Sequence, residues 1–301
     1  GDESVMGSYI IRLLPLLIAL LYIRKVKDYK IFLLIFMSLI LVVLSGERTS
    51  VALYILFILL FFFVSHYNLK KKILSFSLLI FLGFSIILIL IKNNEYIKFR
   101  IIDSTLSQIN FNYKNNEPYY KEIEINGKWF ALARNDTFLP LQYHLYYDAS
   151  KQIFFDNFIF GSGPKTYRYV SSEEKYLIKK NHAAFEAKNL PEDFHYDGYT
   201  NLKSSGTHPH NIYLQLFSET GVIGGLYIFL IFLYVTILIF LKITFIKKIL
   251  LISLFINLFP FITSGNFFNN WLSIIYFLPL GFLYIDKNLI DKYESKNSKY
   301  I

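Results

Sequence analysis

Residues 51–64 read Val-Ala-Leu-Tyr-Ile-Leu-Phe-Ile-Leu-Leu-Phe-Phe-Phe-Val, with no charged side chain among them. A helix formed by this stretch is apolar on every face, whereas a surface helix of a soluble protein also carries a polar face. Residues 73–91 are likewise free of charge. As a helix they extend about 28 Å, close to the ~30 Å hydrocarbon core of a bilayer. Both stretches therefore predict helices that cross a membrane.

The composition of the whole chain agrees with this prediction. Apolar residues make up 54% of the 301 residues, charged residues make up 18%, and the mean hydropathy is +0.40. Soluble domains carry about 25% charged residues, so the composition excludes a disordered chain and disfavours a soluble globular enzyme. The chain has no cysteine, which excludes a disulfide framework, a thiolate zinc site and a cysteine nucleophile.

The predicted fold is an all-α integral membrane protein with about seven transmembrane helices, each of about 20 mostly apolar residues with about 17 tolerated. The qualifying segments, some of them short, are 9–23, 31–44, 50–64, 73–91, 222–241, 249–263 and 270–285. They predict a four-span N-terminal bundle (1–91), a large and mostly helical loop (92–210), a three-span C-terminal bundle (211–285) and a tail (286–301). Because the chain opens on polar residues without an initiator Met, we also expect N-terminal spans ahead of Gly1.

The distribution of Lys and Arg predicts the orientation of these spans. The loops 45–49 and 264–269 hold one basic residue and none, respectively. By the positive-inside rule the basic clusters face the cytoplasm and the loop 92–210 faces the other side. The clusters follow alternate spans: Arg24, Lys25, Lys27 and Lys30; Lys70, Lys71 and Lys72; Lys242, Lys247 and Lys248; Lys287, Lys292, Lys296 and Lys299.

The net charge of +9 does not indicate a nucleic-acid partner. The loop 92–210 holds fifteen basic and fourteen acidic residues, so it carries no basic stripe of the kind that binds nucleic acid. The excess positive charge lies in the cytoplasmic loops, where the anionic headgroups of membrane lipids are the expected partners.

The loop 92–210 is too long for a simple connection and predicts a small folded cap that lies on the membrane. Asn126-Gly127 between two alternating stretches predicts a β-hairpin over residues 122–130. Residues 148–160 predict a helix that ends at Gly161, and residues 175–188 predict a polar helix.

The most informative motif is Thr207-His-Pro-His-Asn-Ile, which leads into the fifth predicted span. Pro209 fits the first turn of a helix, so His210, Leu214 and Phe217 are expected on one face with Gly221. The positive end of the helix dipole disfavours an imidazolium at His210, and a neutral imidazole there is a competent general base.

The alternative is an interfacial His with a structural role. His208 and His210 also form a possible pair of metal ligands, but no Asp, Glu or Cys nearby completes a site.

Two further stretches are candidates for binding an anion. Arg48, in the turn Ser45-Gly-Glu-Arg-Thr49, lies between two spans, where a guanidinium is costly unless it is paired; it matches a phosphate bidentately or serves as an interfacial anchor. The stretch Phe160-Gly-Ser-Gly-Pro-Lys-Thr-Tyr-Arg168 predicts a tight loop whose backbone N–H groups, with Lys165 and Arg168, are able to hold an oxyanion. The alternative is a turn without a ligand. His144, just ahead of the predicted helix, belongs to the same neighbourhood or is an ordinary interfacial aromatic residue.

These motifs resemble the O-antigen ligase and O-antigen polymerase family of bacterial membrane glycosyltransferases. The most specific match is His210-Asn211 followed after nine residues by Gly221-x-x-Gly224, at the end of the family's large periplasmic loop. The turn at Ser45–Arg48 resembles the family's Ser-x-Arg turn, and residues 160–167 resemble its Phe-Gly-x-Gly-x-x-x-Phe element with Tyr167 as the last residue. His144-Leu-Tyr-Tyr147 and the segment 1–10 are similar to one branch of the family.

The chain departs from the family pattern at one position. Many members carry an Arg about eighteen residues before the Gly-x-Gly loop, where this chain has Tyr143 and His144, while Arg134 lies about nine residues earlier. Arg134, His144 and Arg168 are the candidates for the role of that arginine.

The resemblance implies a multi-pass protein of the bacterial inner membrane with its active site on the periplasmic side. It implies transfer of a glycan from undecaprenyl diphosphate to an acceptor hydroxyl, without a cofactor, a metal or a nucleotide sugar. The acceptor is lipid A–core in a ligase and a second lipid-linked repeat unit in a polymerase. His210 is then the catalytic base, and the residues that contact substrate or diphosphate are Arg48, Lys165, Arg168, His144, Arg134, His208 and Asn211.

Two other function classes compete with this interpretation. A transporter of lipid-linked sugars also needs external cationic groups, but it should show broken helices and charges near span midpoints. The sequence interruptions within the spans are few, chiefly Gly83, Pro260 and Pro279. A non-catalytic membrane scaffold leaves His210 and Arg48 without a role.

Overall fold

The computed structural model describes residues 6–103, 121–125, 128–132, 141–176 and 206–283. The chain forms two compact units, and each is described by itself. The first unit comprises Gly1–Ile101, Leu230–Phe259 and Asn270–Ile301, and the second comprises Ile102–Phe229 and Pro260–Asn269. Nearly half of the predicted loop 92–210, including Arg134, and the whole predicted tail 286–301 lie outside the described residues.

The described residues are helical apart from one hairpin. The elements, in chain order, are α1 (Met6–Ile23), α2 (Asp28–Leu44), α3 (Arg48–Val64), α4 (Leu69–Asn93), α5 (Glu95–Lys98), a π-helical turn (Phe99–Asp103), β1 (Lys121–Ile125), β2 (Lys128–Leu132), α6 (Leu141–Asp156), α7 (Tyr167–Val170), a 3₁₀ turn (Glu174–Tyr176), α8 (Ile212–Phe240), α9 (Phe245–Asn257) and α10 (Asn270–Leu283).

Three of the described helices are long and apolar enough to cross a membrane: α1, α4 and α8. The helices α3 and α10 are apolar but shorter. Every one of the seven predicted segments overlaps a described helix, so the protein is a helical membrane protein. The count of seven crossings stays a prediction.

The sixth predicted segment was misplaced along the sequence. Its helix is α9, which begins at Phe245 and ends at Asn257, whereas the apolar residues predicted a helix over 249–263. Thr244 has an extended backbone before the first turn, and Pro260 disfavours helical geometry in the residue ahead of it. Apolar character therefore continues past the end of the helix, and hydropathy alone gives the wrong boundary.

Three of the predicted basic loops lie at one end of the first unit. The hydroxyls of Tyr22 and Tyr67 are 3.0 Å apart, and the Tyr22 ring lies 5.0 Å from that of Phe245. Lys71 forms an ion pair with Asp28 at 3.7 Å. The loops that follow α1, α3 and α8 are therefore neighbours, which agrees with their predicted place on one side of the membrane.

Glu47 organises the opposite end of the same unit. Its carboxylate accepts hydrogen bonds from the backbone N–H groups of Gly7 and Ser8, at 2.9 and 3.0 Å, and from the Ser50 hydroxyl at 2.7 Å. A carboxylate at a helix N-terminus satisfies free amides and stabilises the helix dipole. Glu47 therefore ties the start of α1 to the start of α3, where Arg48 is the first helical residue.

Arg12 is a buried guanidinium within α1 that the sequence analysis did not single out. The residue is 4% exposed. Its Nε donates to the Ser8 hydroxyl at 3.2 Å, and its NH1 donates to the backbone and side-chain oxygens of Asn257 at 3.3 and 3.4 Å. Because Asn257 also donates to the Ile275 carbonyl, these contacts join α1, α9 and α10.

The second unit confirms the predicted hairpin. Strands β1 and β2 pair in antiparallel register, with Glu122 opposite Ala131 and Ile125 opposite Lys128. This register leaves two residues, Asn126 and Gly127, for the connection, as a two-residue turn requires.

The predicted helices of this unit had incorrect bounds. The helix predicted over 148–160 is α6, which begins at Leu141 and ends at Asp156. The side-chain amide of Asn157 donates to the Ile153 carbonyl at 3.0 Å. A side-chain bond of this kind competes with the backbone hydrogen bonds of the helix, which ends here. Lys175 belongs to a 3₁₀ turn, and the remainder of the helix predicted over 175–188 lies outside the described residues.

Helix α8 is interrupted at Gly221, with φ 65° and ψ −167°. This region of backbone space is open almost only to glycine. The helix does lead into the predicted span, but the expectation that Gly221 continues the regular face of Leu214 and Phe217 was wrong. The break divides α8 into a short N-terminal part, over residues 212–220, and a long apolar part.

Labelling of engineered cysteines should report the orientation. The protein has no native Cys, and Lys151 and Lys70 are both exposed. If the basic loops face the cytoplasm, Lys151→Cys reacts in intact cells with a membrane-impermeant maleimide and Lys70→Cys reacts only after lysis. The reverse pattern would contradict the predicted orientation.

Candidate functional site

The backbone around His210 differs from the predicted helix start. Helix α8 begins at Ile212, and Asn211 caps it, because its side-chain oxygen accepts the N–H groups of Tyr213 and Leu214 at 3.0 and 3.1 Å. His210 precedes the cap in a left-handed conformation, with φ 56°. The placement of Pro209 in the first helical turn, and of His210 on the Leu214 face, was therefore wrong.

A non-glycine residue in the left-handed region is strained by on the order of 1–2 kcal/mol. Contacts on both sides hold His210 there. Its carbonyl oxygen accepts the Ser264 N–H at 2.8 Å, and the Asn211 side-chain amide donates to the Pro260 carbonyl at 2.9 Å. The Ser264 N–H and the Pro260 carbonyl both lie in the stretch 260–269 of the same unit. These two bonds fix the backbone at His210 and therefore the direction of its side chain.

Aromatic rings surround the His210 imidazole. The Tyr146 ring is stacked on it with a centroid distance of 5.5 Å, and the Tyr143 ring meets it edge-on at 5.3 Å. The His208 ring lies 4.2 Å away. Both tyrosines come from α6, so this helix and the segment before α8 together form the walls of the site.

His208 is held as a neutral imidazole. Burial, followed by the charge on His210 and more weakly by that on Arg168, lowers the pKa of His208 to about 4. Its Nδ1 lies 2.9 Å from the Thr207 hydroxyl. A backbone hydrogen bond to Ser264 acts in the opposite direction and raises this pKa. A neutral ring beside His210 lets His210 accept a proton without a like charge next to it.

Asn211 and Tyr147 belong to the supporting structure of the site. Burial raises the pKa of the Tyr147 hydroxyl to about 12, against a hydrogen bond from Asn211 that lowers it. Because Asn211 also caps α8 and contacts Pro260, these bonds account for its side chain without a substrate. Its predicted contact with substrate stays a prediction.

The loop 160–168 does not present its amides to a ligand. The N–H groups of Ser162 and Gly163 donate to the carbonyls of Ser218 and Glu219, both at 2.9 Å. The break at Gly221 frees these carbonyls from their helical partners. The Tyr167 N–H donates to the Glu219 carboxylate at 2.8 Å. The predicted oxyanion cradle is therefore directed inward, and the anion that it holds is a side chain of the protein itself.

A buried polar network extends from this carboxylate along the same face of α8 to the stretch 264–268. Gln215, Glu219 and Asn266 are each 9% exposed or less. The Gln215 amide nitrogen donates to Glu219 at 3.0 Å and to the Asn266 side-chain oxygen at 2.8 Å. The Phe267 N–H donates to the Gln215 oxygen at 2.9 Å, and a backbone N–H only donates, which fixes the orientation of the Gln215 amide.

The structure brings together part of the predicted site. His208, His210 and Asn211 lie together just before α8, and the charge of Arg168 acts on His208. Lys165 and Arg168 are exposed, so their side chains are open to a ligand. Lys165, like His210, has a left-handed backbone, with φ 64°.

For three predicted residues the structure gives no place within this group. Arg48 is partly buried at the start of α3, in the first unit. His144 lies in α6, but its side chain, like the whole of Arg134, is outside the described residues. The predicted roles of these three residues stay predictions.

Sequence reasoning missed several residues that build the site. Tyr143 and Tyr146 were taken only as part of a motif, and Gln215 and Asn266 were not considered. A signal for Gln215 was present, because Asn211, Gln215 and Glu219 recur every four residues and so share one face of a helix that is otherwise apolar. The described residues contain no group of three or more His, Cys, Asp or Glu side chains placed to hold a metal.

A matched pair of glycine substitutions tests how the loop is attached to α8. A Cβ on Gly221 would collide with the Ile159 carbonyl, whereas a Cβ on Gly281 meets nothing within 4 Å. We expect Gly221→Ala to destabilise the protein by about 2 kcal/mol or more, since both strain and collision oppose it. Gly281→Ala should leave the thermal midpoint in detergent unchanged. Equal midpoints for the two variants would contradict the described packing.

Comparisons with known proteins add one finding. A family model described as O-antigen ligase matches residues 32–229 of the chain. This range contains every candidate site residue from Arg48 to Asn211. Neither a comparison with curated proteins nor one with solved structures found a match.

Proposed function

Because the chain belongs to the O-antigen ligase family, we propose that it transfers a glycan from undecaprenyl diphosphate to an acceptor hydroxyl. Its family makes it an O-antigen ligase-like membrane enzyme of the glycosyltransferase type, with lipid-linked glycans as substrates. The donor lipid, the acceptor and the roles of individual residues are part of the proposal.

The observation that carries the proposal is the setting of His210. Its imidazole lies against Tyr143, Tyr146 and a neutral His208, and the Arg168 charge acts within the same group. General-base catalysis needs an imidazole that gains a proton in the transition state and is stabilised once it has done so. The Tyr146 ring faces the His210 imidazole within the ~6 Å at which an aromatic face attracts a cation.

His208 is unsuited to be the base. With its pKa lowered to about 4, His208 binds a proton too weakly to take one from a hydroxyl at neutral pH. Its part in the proposal is to remain neutral, so that the positive charge forms on His210 alone.

The proposed transfer proceeds as a displacement at the anomeric carbon of the donor. The acceptor hydroxyl oxygen forms the new bond to this carbon and gives its proton to His210. The bond between the carbon and the diphosphate oxygen breaks, and the diphosphate leaves with the electron pair. Fixed positive charge stabilises such a leaving group, and we assign this task to the exposed side chains of Lys165 and Arg168.

Arg48 is proposed as a further ligand of the diphosphate. A guanidinium matches phosphate oxygens bidentately and keeps its charge in an apolar setting. Arg48 belongs to the same turn as Glu47, whose carboxylate fixes the start of α1 and of α3. This bracing limits the motion of the backbone that carries Arg48.

We propose lipid A–core as the acceptor and the periplasmic face of the inner membrane as the place of reaction. A polymerase that joins lipid-linked repeat units performs the same displacement with a different acceptor, and an assay with both acceptors distinguishes the two. The scheme uses side chains alone for the proton and the charge, so we propose that no metal ion takes part.

Variants of His210 and Arg48 should separate catalysis from donor binding. We expect His210→Ala to lose about two to four decades of transfer rate, as general-base catalysis implies, and to retain binding of the lipid diphosphate. Arg48→Ala should weaken that binding. The measurements are glycan transfer in vesicles and binding of the labelled donor lipid.

Three controls accompany this experiment. His208→Gln should cost less than His210→Ala, and Arg24→Ala, which changes an exposed arginine of a basic loop, should leave donor binding unchanged. Transfer should persist in EDTA. Equal and small losses in both histidine variants would contradict the base assignment, and loss of transfer on chelation would favour a metal held by the two histidines.

A further inference from the structure

An exposed apolar surface lies at the C-terminal end of α6 and in the turn that follows it. It consists of Phe155, Phe158, Ile159 and Phe160, here called the aromatic turn, and each of these side chains is half exposed or more, up to 76% for Phe160. Large apolar side chains on a single short turn are unusual on a surface that faces water, and such patches mark contact with a protein or a membrane.

The aromatic turn is fastened to α8 at a defined place. The Val222 N–H donates to the Phe158 carbonyl at 2.8 Å. The two segments come closest at Gly161 and Gly221. A Cβ atom on either glycine would collide with the backbone of the other segment. The Phe154 ring packs edge-on against Phe217 at 5.3 Å. The turn therefore has a fixed position beside residues 217–222.

The exposed side chains of α8 continue from this point. Ile223, Leu226 and Tyr227 are all exposed, and they belong to a helix that is long and apolar enough to cross a membrane. In a membrane span, exposed apolar side chains contact lipid acyl chains. The aromatic turn is bonded to the first residue after the Gly221 break, so it adjoins the same lipid-facing surface.

We propose that the aromatic turn inserts into the leaflet at the Gly221 end of α8 and contacts the acyl chains there. The occupant of this surface is the lipid bilayer, because the patch is continuous with the exposed face of a membrane span. This contact goes beyond the proposed glycan transfer and does not depend on it.

The charges next to the turn fit such an insertion. Lys165 and Arg168 are exposed and follow the aromatic turn within eight residues. Aromatic side chains favour the boundary between acyl chains and headgroups, and basic side chains reach from there towards phosphates. Insertion of the turn would hold both cations at the depth of the phosphate groups. A lipid-linked diphosphate presents its phosphates at the same depth.

Tryptophan fluorescence tests the insertion in the full chain reconstituted in phosphatidylcholine vesicles. The two native tryptophans, Trp129 and Trp271, are first replaced by Phe, and Phe160→Trp then serves as the only reporter. Lipids brominated on the acyl chain should quench it by roughly half or more, and acrylamide in the water should quench it weakly.

The control reporter is Gln152→Trp, which places the indole at an exposed polar position on α6. It should show the reverse behaviour, with strong quenching by acrylamide and little by brominated lipid. Phe155→Trp is a second reporter within the turn, in case the variant at Phe160 does not fold. A reporter in the turn that acrylamide reaches as easily as position 152, or that neither quencher reaches because protein covers it, would overturn the proposal.

Discussion

The buried carboxylate of Glu219 organises the second unit. Glu219 accepts the Tyr167 N–H on one oxygen and the Gln215 amide on the other. A buried polar group that lacks a partner costs about 1–3 kcal/mol, and a buried charge costs more. The loop 160–168 and the stretch 264–268 are therefore held against α8 by the need to satisfy this one group.

The position of His210 follows from the same network. Gln215 joins Glu219 to Asn266 and Phe267, and the nearby Ser264 N–H binds the His210 carbonyl. On the other side, Tyr167 binds Glu219 through its N–H and donates its hydroxyl to the Tyr146 carbonyl at 3.1 Å. Both the backbone of His210 and the ring that stacks on it are thus connected to the same carboxylate.

The sequence alone predicted the membrane helices and the hairpin, but not the features that depend on tertiary contacts. Uncharged stretches located the membrane helices because burial in lipid demands them, and Asn126-Gly127 located the hairpin because few other dipeptides make its turn. The start of α8 at Ile212 was missed because Pro209 and Asn211 both suit a helix start, and only tertiary contacts decide between them. The amides of the loop 160–168 point inward because the Gly221 break frees two carbonyls of α8, and the sequence does not show that break. The burial of Arg12 depends on its bonds to Asn257, which is distant in the chain.

The central claim is that the Glu219 carboxylate positions His210, the proposed base, and the most direct test is the transfer rate of Glu219→Gln. This substitution keeps the shape of the side chain but replaces one accepting oxygen with an NH2 group, which donates. The NH2 group must then face another donor, either the Tyr167 N–H or the Gln215 amide. Gln215 cannot reverse its amide without losing its bonds to Asn266 and Phe267. The expected result is a loss of about tenfold or more in transfer, equivalent to about 1.4 kcal/mol, with the protein still inserted in the membrane. A native transfer rate together with a native thermal midpoint would contradict the account.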